Sequence, residues 1–180
     1  MSRLKQKYTK QVIPKIKEKF GYKNNFEVPK LAKVTVNVGI SAAKKDEKYL
    51  ELVENTLKRI TGQKPVLTKA KKAISAFKIR QGNTIGAMVT LRKTRMYDFV
   101  DKLISVALPR VRDFRGLSPK SVDKSGNLSI GFREHLVFGE INPDEVEAIH
   151  PLEVVITTTA KNQEEGLEFL TLLGFPFRKK

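Results

Sequence analysis

Apolar side chains recur along this chain with two periods, and the change from one to the other marks out the elements. Tyr8, Val12, Ile16 and Phe20 fall every four residues between positions 3 and 20, an apolar stripe along one side of a helix. Pro14 lies inside that stretch and interrupts or kinks it, because proline has no N–H to donate and its ring crowds the preceding turn. Val34, Val36 and Val38 then alternate with Lys33, Thr35 and Asn37, the pattern of a strand with one buried face and one polar, partly basic face. The helical period returns over 46–61, where Leu50, Val53, Leu57 and Ile60 point inward and Gly62 supplies the stop. Val66 to Thr68 reads as a short strand. Gly86 to Arg92 reads as a longer one, with Ala87, Val89 and Leu91 opposite Met88, Thr90 and Arg92. Thr94 is placed to cap a third helix that buries Phe99, Val100, Leu103 and Ala107 and ends before Pro109. Asp123 to Asn127 is a turn leading into the strand Leu128 to Phe132. Val154, Ile156 and Thr158 alternate in a last strand. Asn162 and Glu165 form a capping box for a final helix that carries Leu167, Leu170 and Leu173 and stops at Gly174.

Strands and helices are interspersed, with hairpin-like links in the middle of the chain. That order predicts an α+β fold with a mostly antiparallel sheet, helices packed on one face and a projecting basic loop. The chain has 180 residues, 40% of them hydrophobic, which suits a single domain spanning 1–180 with a real core. An open sheet face carrying polar and basic side chains is one way to meet folded RNA.

Charge changes the picture most. Thirty-five lysines and arginines stand against 19 acids, a net charge of +16, which suits a polyanionic partner but does not choose between lipid and nucleic acid. The excess is segregated. Residues 1–33 hold ten basic side chains and two acids, and Asn55 to Tyr97 hold eleven basic side chains and no acid. From Glu134 to Glu168 there are nine acids against Lys161 alone. The first stretches can face phosphates; the last is expected to face solvent or a basic protein. No cysteine is present, so disulfides, thiol nucleophiles and cysteine-ligated zinc are excluded. The first 20 residues have no continuous apolar core and do not read as a secretory signal. No apolar run approaches the roughly 20 residues of a membrane span. A cytoplasmic protein without membrane partner is the expectation.

Catalytic chemistry finds no foothold. His135 and His150 are fifteen residues apart, in no zinc motif, and read as surface or packed residues. Gly82 and Gly86 are not followed by the lysine-serine or lysine-threonine pair of a phosphate-binding loop. Glu164 and Glu165 sit at a helix start, where the helix dipole explains them. No catalytic residue, metal ligand or cofactor is expected. The basic motifs say more. Lys69 to Gly82 carries five cations around Phe77; its cations can displace counterions from phosphates. Phe77 either stacks on a base or tucks into the core. Arg110, Arg112 and Arg115 form a second cluster suited to phosphate forks, with Asp113 able to pair with a neighbour instead.

Several blocks together resemble a known family. They are Ile60-Thr-Gly-Gln-Lys-Pro-Val-Leu-Thr-Lys-Ala-Lys-Lys-Ala73, Phe77-Lys-Ile-Arg-Gln-Gly82, Pro109-Arg-Val-Arg-Asp-Phe-Arg-Gly-Leu117, Ile156-Thr-Thr-Thr-Ala160 and Phe175-Pro-Phe-Arg178. In this order, over nearly the whole chain, they resemble the signature of the bacterial ribosomal large-subunit protein five family. The resemblance implies a non-enzymatic constituent of the large subunit that binds 5S rRNA in the central protuberance. It also implies contact with 23S rRNA, with other proteins of the central protuberance, with peptidyl-site tRNA and with a small-subunit head protein. For 5S rRNA it points to Asn37, Gln63, Thr90 and Arg92. For tRNA it points to the loop Lys71 to Arg80, with Lys71, Lys72, Phe77, Lys78 and Arg80. For the bridge it points to the later hairpin and the acidic stretch. Asn37, Thr90 and Arg92 also lie on the polar faces of the strands predicted from periodicity. Two other readings compete: an RNA-modifying enzyme, which lacks a cofactor fingerprint or nucleophile here, and a membrane-surface protein, for which residues 3–20 are only a partial amphipathic match.

Overall fold

The computed structural model describes residues 2–40 and 47–178. The fold is α+β. Five strands, β1 (Leu31–Gly39), β2 (Val66–Lys69), β3 (Thr84–Leu91), β4 (Leu128–Phe132) and β5 (Leu152–Thr158), form one antiparallel sheet in the order β2-β3-β1-β5-β4. β2 pairs with β3 in the register Val66 to Met88, Leu67 to Ala87 and Thr68 to Gly86, with an irregularity between Thr68 and Lys69. The period-two alternation holds as expected: Val34, Val36 and Val38 are buried in β1, Ala87, Val89 and Leu91 in β3, and Val154, Ile156 and Thr158 in β5. Contacts divide the chain into two compact units, one comprising Met1–Val34, Leu91–Ile130 and Val155–Lys180, the other Thr35–Thr90 and Gly131–Val154.

In the first unit the N-terminal helical path is α1 (Arg3–Lys7), a π-helical turn Tyr8–Val12 and α2 (Ile13–Phe20). Pro14 falls in the first turn of α2, and the wide turn just before it absorbs the hydrogen bond that proline cannot donate. Leu4, Val12 and Ile16 are buried, and the Tyr8 ring meets Phe169 edge-on at 6.0 Å. Arg3 forks onto Asp101 at 2.8 and 3.2 Å, which ties α1 to α4 (Lys93–Lys102).

Helix α4 departs from expectation at both ends. Thr94 does not cap it; Arg92 occupies the cap position and no side chain accepts there. The helical path also does not stop before Pro109. It continues through a π-helical turn Leu103–Ala107 and a 3-10 turn Leu108–Arg110, in whose first positions Pro109 needs no N–H. Helix α5 (Gln163–Leu173) is capped by Asn162, whose side chain accepts from the Glu165 N–H at 2.8 Å. The reciprocal half of the box is displaced by one residue, because Glu165 accepts from the Lys161 N–H at 2.7 Å.

In the second unit α3 (Glu47–Thr61) buries Val53, Leu57 and Ile60, while Leu50 is only half-buried. Asp46, expected to open this helix, lies outside the described residues. Thr56 and Thr61 are buried on the same helix, their hydroxyls donating to the carbonyls of Leu52 and Leu57.

The two histidines are packed in this unit. His135 and His150 are 1% and 0% exposed and stack with ring centres 4.1 Å apart. The His150 N–H donates to Nδ1 of His135 at 3.3 Å, which requires a lone pair there and therefore a neutral ring. Burial pushes the His135 pKa below its usual 6.5, against weaker upward pulls from the His150 backbone and Glu134. In the unfolded chain the group titrates near 6.5, so its stabilising contribution is complete above that pH. It is lost as pH falls from there through the depressed folded value. Chemical denaturation followed at pH 7.5 and pH 5.5 is expected to show lower stability at the acid pH, and His135→Phe is expected to flatten that difference.

Candidate nucleic-acid interface

The polar side of the strands presents candidate ligands without disturbing the core, because each sits one residue out of phase with a buried one. In the second unit Asn37 lies between buried Val36 and Val38 on β1, and Thr90 lies between buried Val89 and Leu91 on β3; both are half-buried. Gln63 follows the left-handed Gly62 (φ +66°) that ends α3. Its Nε2 donates to the Thr90 carbonyl at 3.3 Å, so the structure brings Gln63 to the end of β3. One amide hydrogen is spent orienting the side chain, and the amide oxygen remains as an acceptor for a hydroxyl or base donor. In the first unit Arg92 is exposed immediately after β3, with Nη1 3.5 Å from the Ala32 carbonyl, a contact too long to hold the guanidinium against an anion.

The segment 71–80 is a short hairpin of its own. Ala70 and Asn83 pair at its base, Gly82 donates to Ala70, and Ile74 and Ile79 exchange hydrogen bonds at 2.9 and 3.1 Å. Ser75–Phe77 make a 3-10 turn that closes on Lys78. Residues 71–78 are all exposed. Phe77, left open between core and surface by its sequence context, is 65% exposed. Arg110, Arg112 and Arg115 are exposed too, in the first unit.

Backbone strain tracks these segments. Among the described residues the non-glycine positions with positive φ are Lys78 (+52°), Lys93 (+54°) and Asp113 (+51°). One lies in the hairpin, one beside Arg92 and one inside the arginine cluster. Left-handed backbone costs a side-chain-bearing residue of order 1 kcal/mol, and such outliers gather where a side chain or loop must be aimed.

The acidic stretch is less uniform than its composition implies. Asp144, Glu147, Glu153 and Glu164 are exposed as expected. Glu165 is buried, 1% exposed, and accepts from the Tyr22 hydroxyl at 2.6 Å; the helix cap draws it inward. Burial and that carboxylate push the Tyr22 pKa up to about 12. Glu168 pairs with Lys19, and Glu145 with Arg59 of the acid-free stretch, each at 2.7 Å. The hydrogen bonds from Asn142 and Arg59 hold the Glu145 pKa below the usual carboxylate value. Arg59 and Glu145 line a cleft of about 460 Å³ in the second unit with Asn55, Thr56, His135 and Ile141. Among the described residues no group of three or more histidines and acids is arranged to hold a metal ion, and no helix is long and apolar enough to cross a membrane.

Sequence reasoning missed the Arg59–Glu145 pair and the exposure of Phe26, 90%. Neither has a local signal, since the ion pair joins residues 86 positions apart and a lone phenylalanine has no period.

An α+β scaffold with a polar strand face and strained, exposed basic segments is the build of a nucleic-acid-binding structural protein. Comparison with known proteins specifies which. Residues 24–80 match the family model for ribosomal protein L5, and residues 84–177 match the ribosomal L5 family C-terminus. The chain is 54% identical over 179 residues to the large ribosomal subunit protein uL5 of Caldanaerobacter subterraneus subsp. tengcongensis, covering 99% of this chain and 100% of that one. It is 53% identical to the uL5 of Desulfatibacillum aliphaticivorans over the same shares, and 54% identical to that of Clostridium tetani over 97% of each chain. The chain belongs to the ribosomal protein L5 family, whose members are ribosomal structural proteins and not enzymes.

Proposed function

The chain is a structural constituent of the large ribosomal subunit. We propose that within it the protein binds 5S rRNA through Asn37, Gln63, Thr90 and Arg92 and helps attach that RNA in the central protuberance, beside 23S rRNA and neighbouring proteins. The hairpin 71–80 contacts tRNA in the peptidyl site. Arg110, Arg112 and Arg115 add phosphate contacts, and the exposed acids Asp144 and Glu147 meet a basic protein of the small-subunit head in an intersubunit bridge. The protein so placed works in the cytoplasm as one unit of translation machinery. The observation that carries the 5S assignment is the strand phase. Asn37 and Thr90 offer hydrogen-bonding groups from rigid strands whose other face is core, and Gln63 is already oriented by Thr90. A permanent RNA partner is best held by groups that lose little freedom on binding.

Arg92→Ala tests this directly. A charge-assisted hydrogen bond to RNA is worth about 1.5–3 kcal/mol, so 5S rRNA affinity in a filter-retention assay is expected to fall by about tenfold or more. Asn37→Ala is expected to lower it less. Arg92 is exposed, so its removal should leave thermal stability within about 0.5 kcal/mol. Wild-type affinity in both variants would remove these residues from the interface.

A further inference from the structure

Phe26 is the most exposed large hydrophobic residue among those described, at 90%, against 65% for Phe77 and 50% for Ile149. An isolated exposed apolar side chain needs no explanation by itself. Two features set this one apart. The first is that the segment presenting it is braced at both ends. Tyr22 is fastened by its hydroxyl to buried Glu165 at 2.6 Å, with the Lys161 ammonium 5.2 Å from its ring centre and Phe20 stacked on it at 6.2 Å. Val28 and Pro29 are buried at the exit. Between them Asn24 accepts from the Phe26 N–H at 3.0 Å through its side chain and from the Glu27 N–H at 3.3 Å through its backbone, while Lys17 donates to Asn25 at 2.9 Å. A loop this well fastened could have turned its phenylalanine inward; it holds the ring out.

The second feature is the company the ring keeps. Lys17, Lys23 and Lys30 stand close in sequence, with Glu27 the one acid from 19 to 33, and Asn24 and Asn25 add amide groups. A fixed aromatic face among ammonium groups fits an unstacked nucleobase: the ring takes the base, the lysines take the flanking phosphates, and the ordering cost has been met in the free protein.

We propose that Phe26 is a stacking platform for an unpaired base of ribosomal RNA, a contact additional to Asn37, Gln63, Thr90 and Arg92. This rests on the ribosomal RNA partner argued above, and the base could belong to 5S or to 23S rRNA. The chain contains no tryptophan, so Phe26→Trp introduces a single indole that reports on its own surroundings. The full-length variant is examined free, bound to 5S rRNA, and in reconstituted large subunits, with RNA retention measured on the same samples. Severalfold quenching of the indole together with protection from acrylamide is expected in one of the two complexes. Quenching with 5S rRNA alone assigns the base to 5S; quenching only in the large subunit assigns it to 23S. In the complex so assigned, Phe26→Ala is expected to weaken RNA binding about tenfold, and Phe26→Trp to preserve it. Retained RNA with an unquenched, acrylamide-accessible indole overturns the proposal while leaving the strand-face reading intact. A blue shift without quenching, the mark of burial against protein, overturns it as well, and so does unchanged affinity on Phe26→Ala. Loss of all RNA retention by the wild-type chain would instead strike down the RNA-binding reading itself, and this contact with it.

Discussion

Gly166→Ala is expected to destabilise the first unit by about 3 kcal/mol or more, the range of severe overpacking. Gly166 lies in the first turn of α5, fully packed against the turn 123–127. A Cβ built there would press on the Cα of Gly126 and lie 2.7 Å from its carbonyl oxygen. The turn cannot retreat. Gly126 donates to the Asp123 carbonyl at 3.0 Å and accepts from the Thr158 hydroxyl at 2.9 Å, and Asn127 is held by Asp123 at 2.8 Å. On helix propensity alone the substitution would be favourable by about 1 kcal/mol, so the sign of the result separates local preference from packing. Thermal unfolding followed by circular dichroism is expected to show a drop of about 10 °C, at roughly 2–4 °C per kcal/mol for a chain of this size. Gly131→Ala is the control: nothing lies within 4 Å of its added Cβ, and its effect should stay within about 0.5 kcal/mol. A Gly166→Ala protein as stable as wild type would show that the contact of the two glycines is looser than described.

Removing the charges of Lys71, Lys72, Lys78 and Arg80 together by alanine substitution is expected to reduce tRNA retention in the peptidyl site while leaving 5S rRNA at full complement in purified large subunits. Residues 71–78 are exposed, and the hairpin is closed by its own backbone bonds between Ile74 and Ile79 rather than by packed side chains. A basic element anchored only at its base can follow a ligand that comes and goes, and phosphate contacts position a nucleic acid without reading its sequence. That suits a site that must accept every tRNA. If each lost contact is worth about 0.5–1 kcal/mol, as for exposed charge pairs, four together correspond to a tenfold or larger rise in tRNA dissociation rate. The measurement is the dissociation rate of peptidyl-site tRNA beside the 5S content of the same particles. Loss of 5S rRNA with normal tRNA retention would mean that the two RNA assignments are reversed.

Much of this molecule follows from periodicity. Val34, Val36 and Val38, or Val154, Ile156 and Thr158, place their strands and core faces because a pleated backbone sends alternate side chains to opposite sides, whatever the rest of the chain does. The four-residue stripe from Tyr8 to Phe20 and the glycine stops at 62 and 174 act through geometry that is equally local, and the polar phase of Asn37 and Thr90 comes with it. The ordered signature blocks carried the family, which strand phase and charge could not have supplied.

What lay beyond reach depended on residues meeting from distant parts of the chain. Thr94 has the chemistry of a cap, yet the path out of β3 gives the cap position to Arg92. Glu165 reads as one more exposed acid of an acidic stretch, but Tyr22, 143 residues earlier, meets it in the interior. His135 and His150 have no local pattern and become a stacked neutral pair only where the second unit closes on them. Composition marked Phe77 as the aromatic to watch and passed over Phe26, whose exposure is set by the bonds of Lys17, Asn24 and Tyr22 around it. The sequence by itself determined the elements, their buried faces and the family, since these depend on neighbours a few residues away. The tertiary structure alone decided which charges are spent inside the protein and which aromatic is offered to a partner, because burial and pairing depend on what the rest of the chain brings alongside.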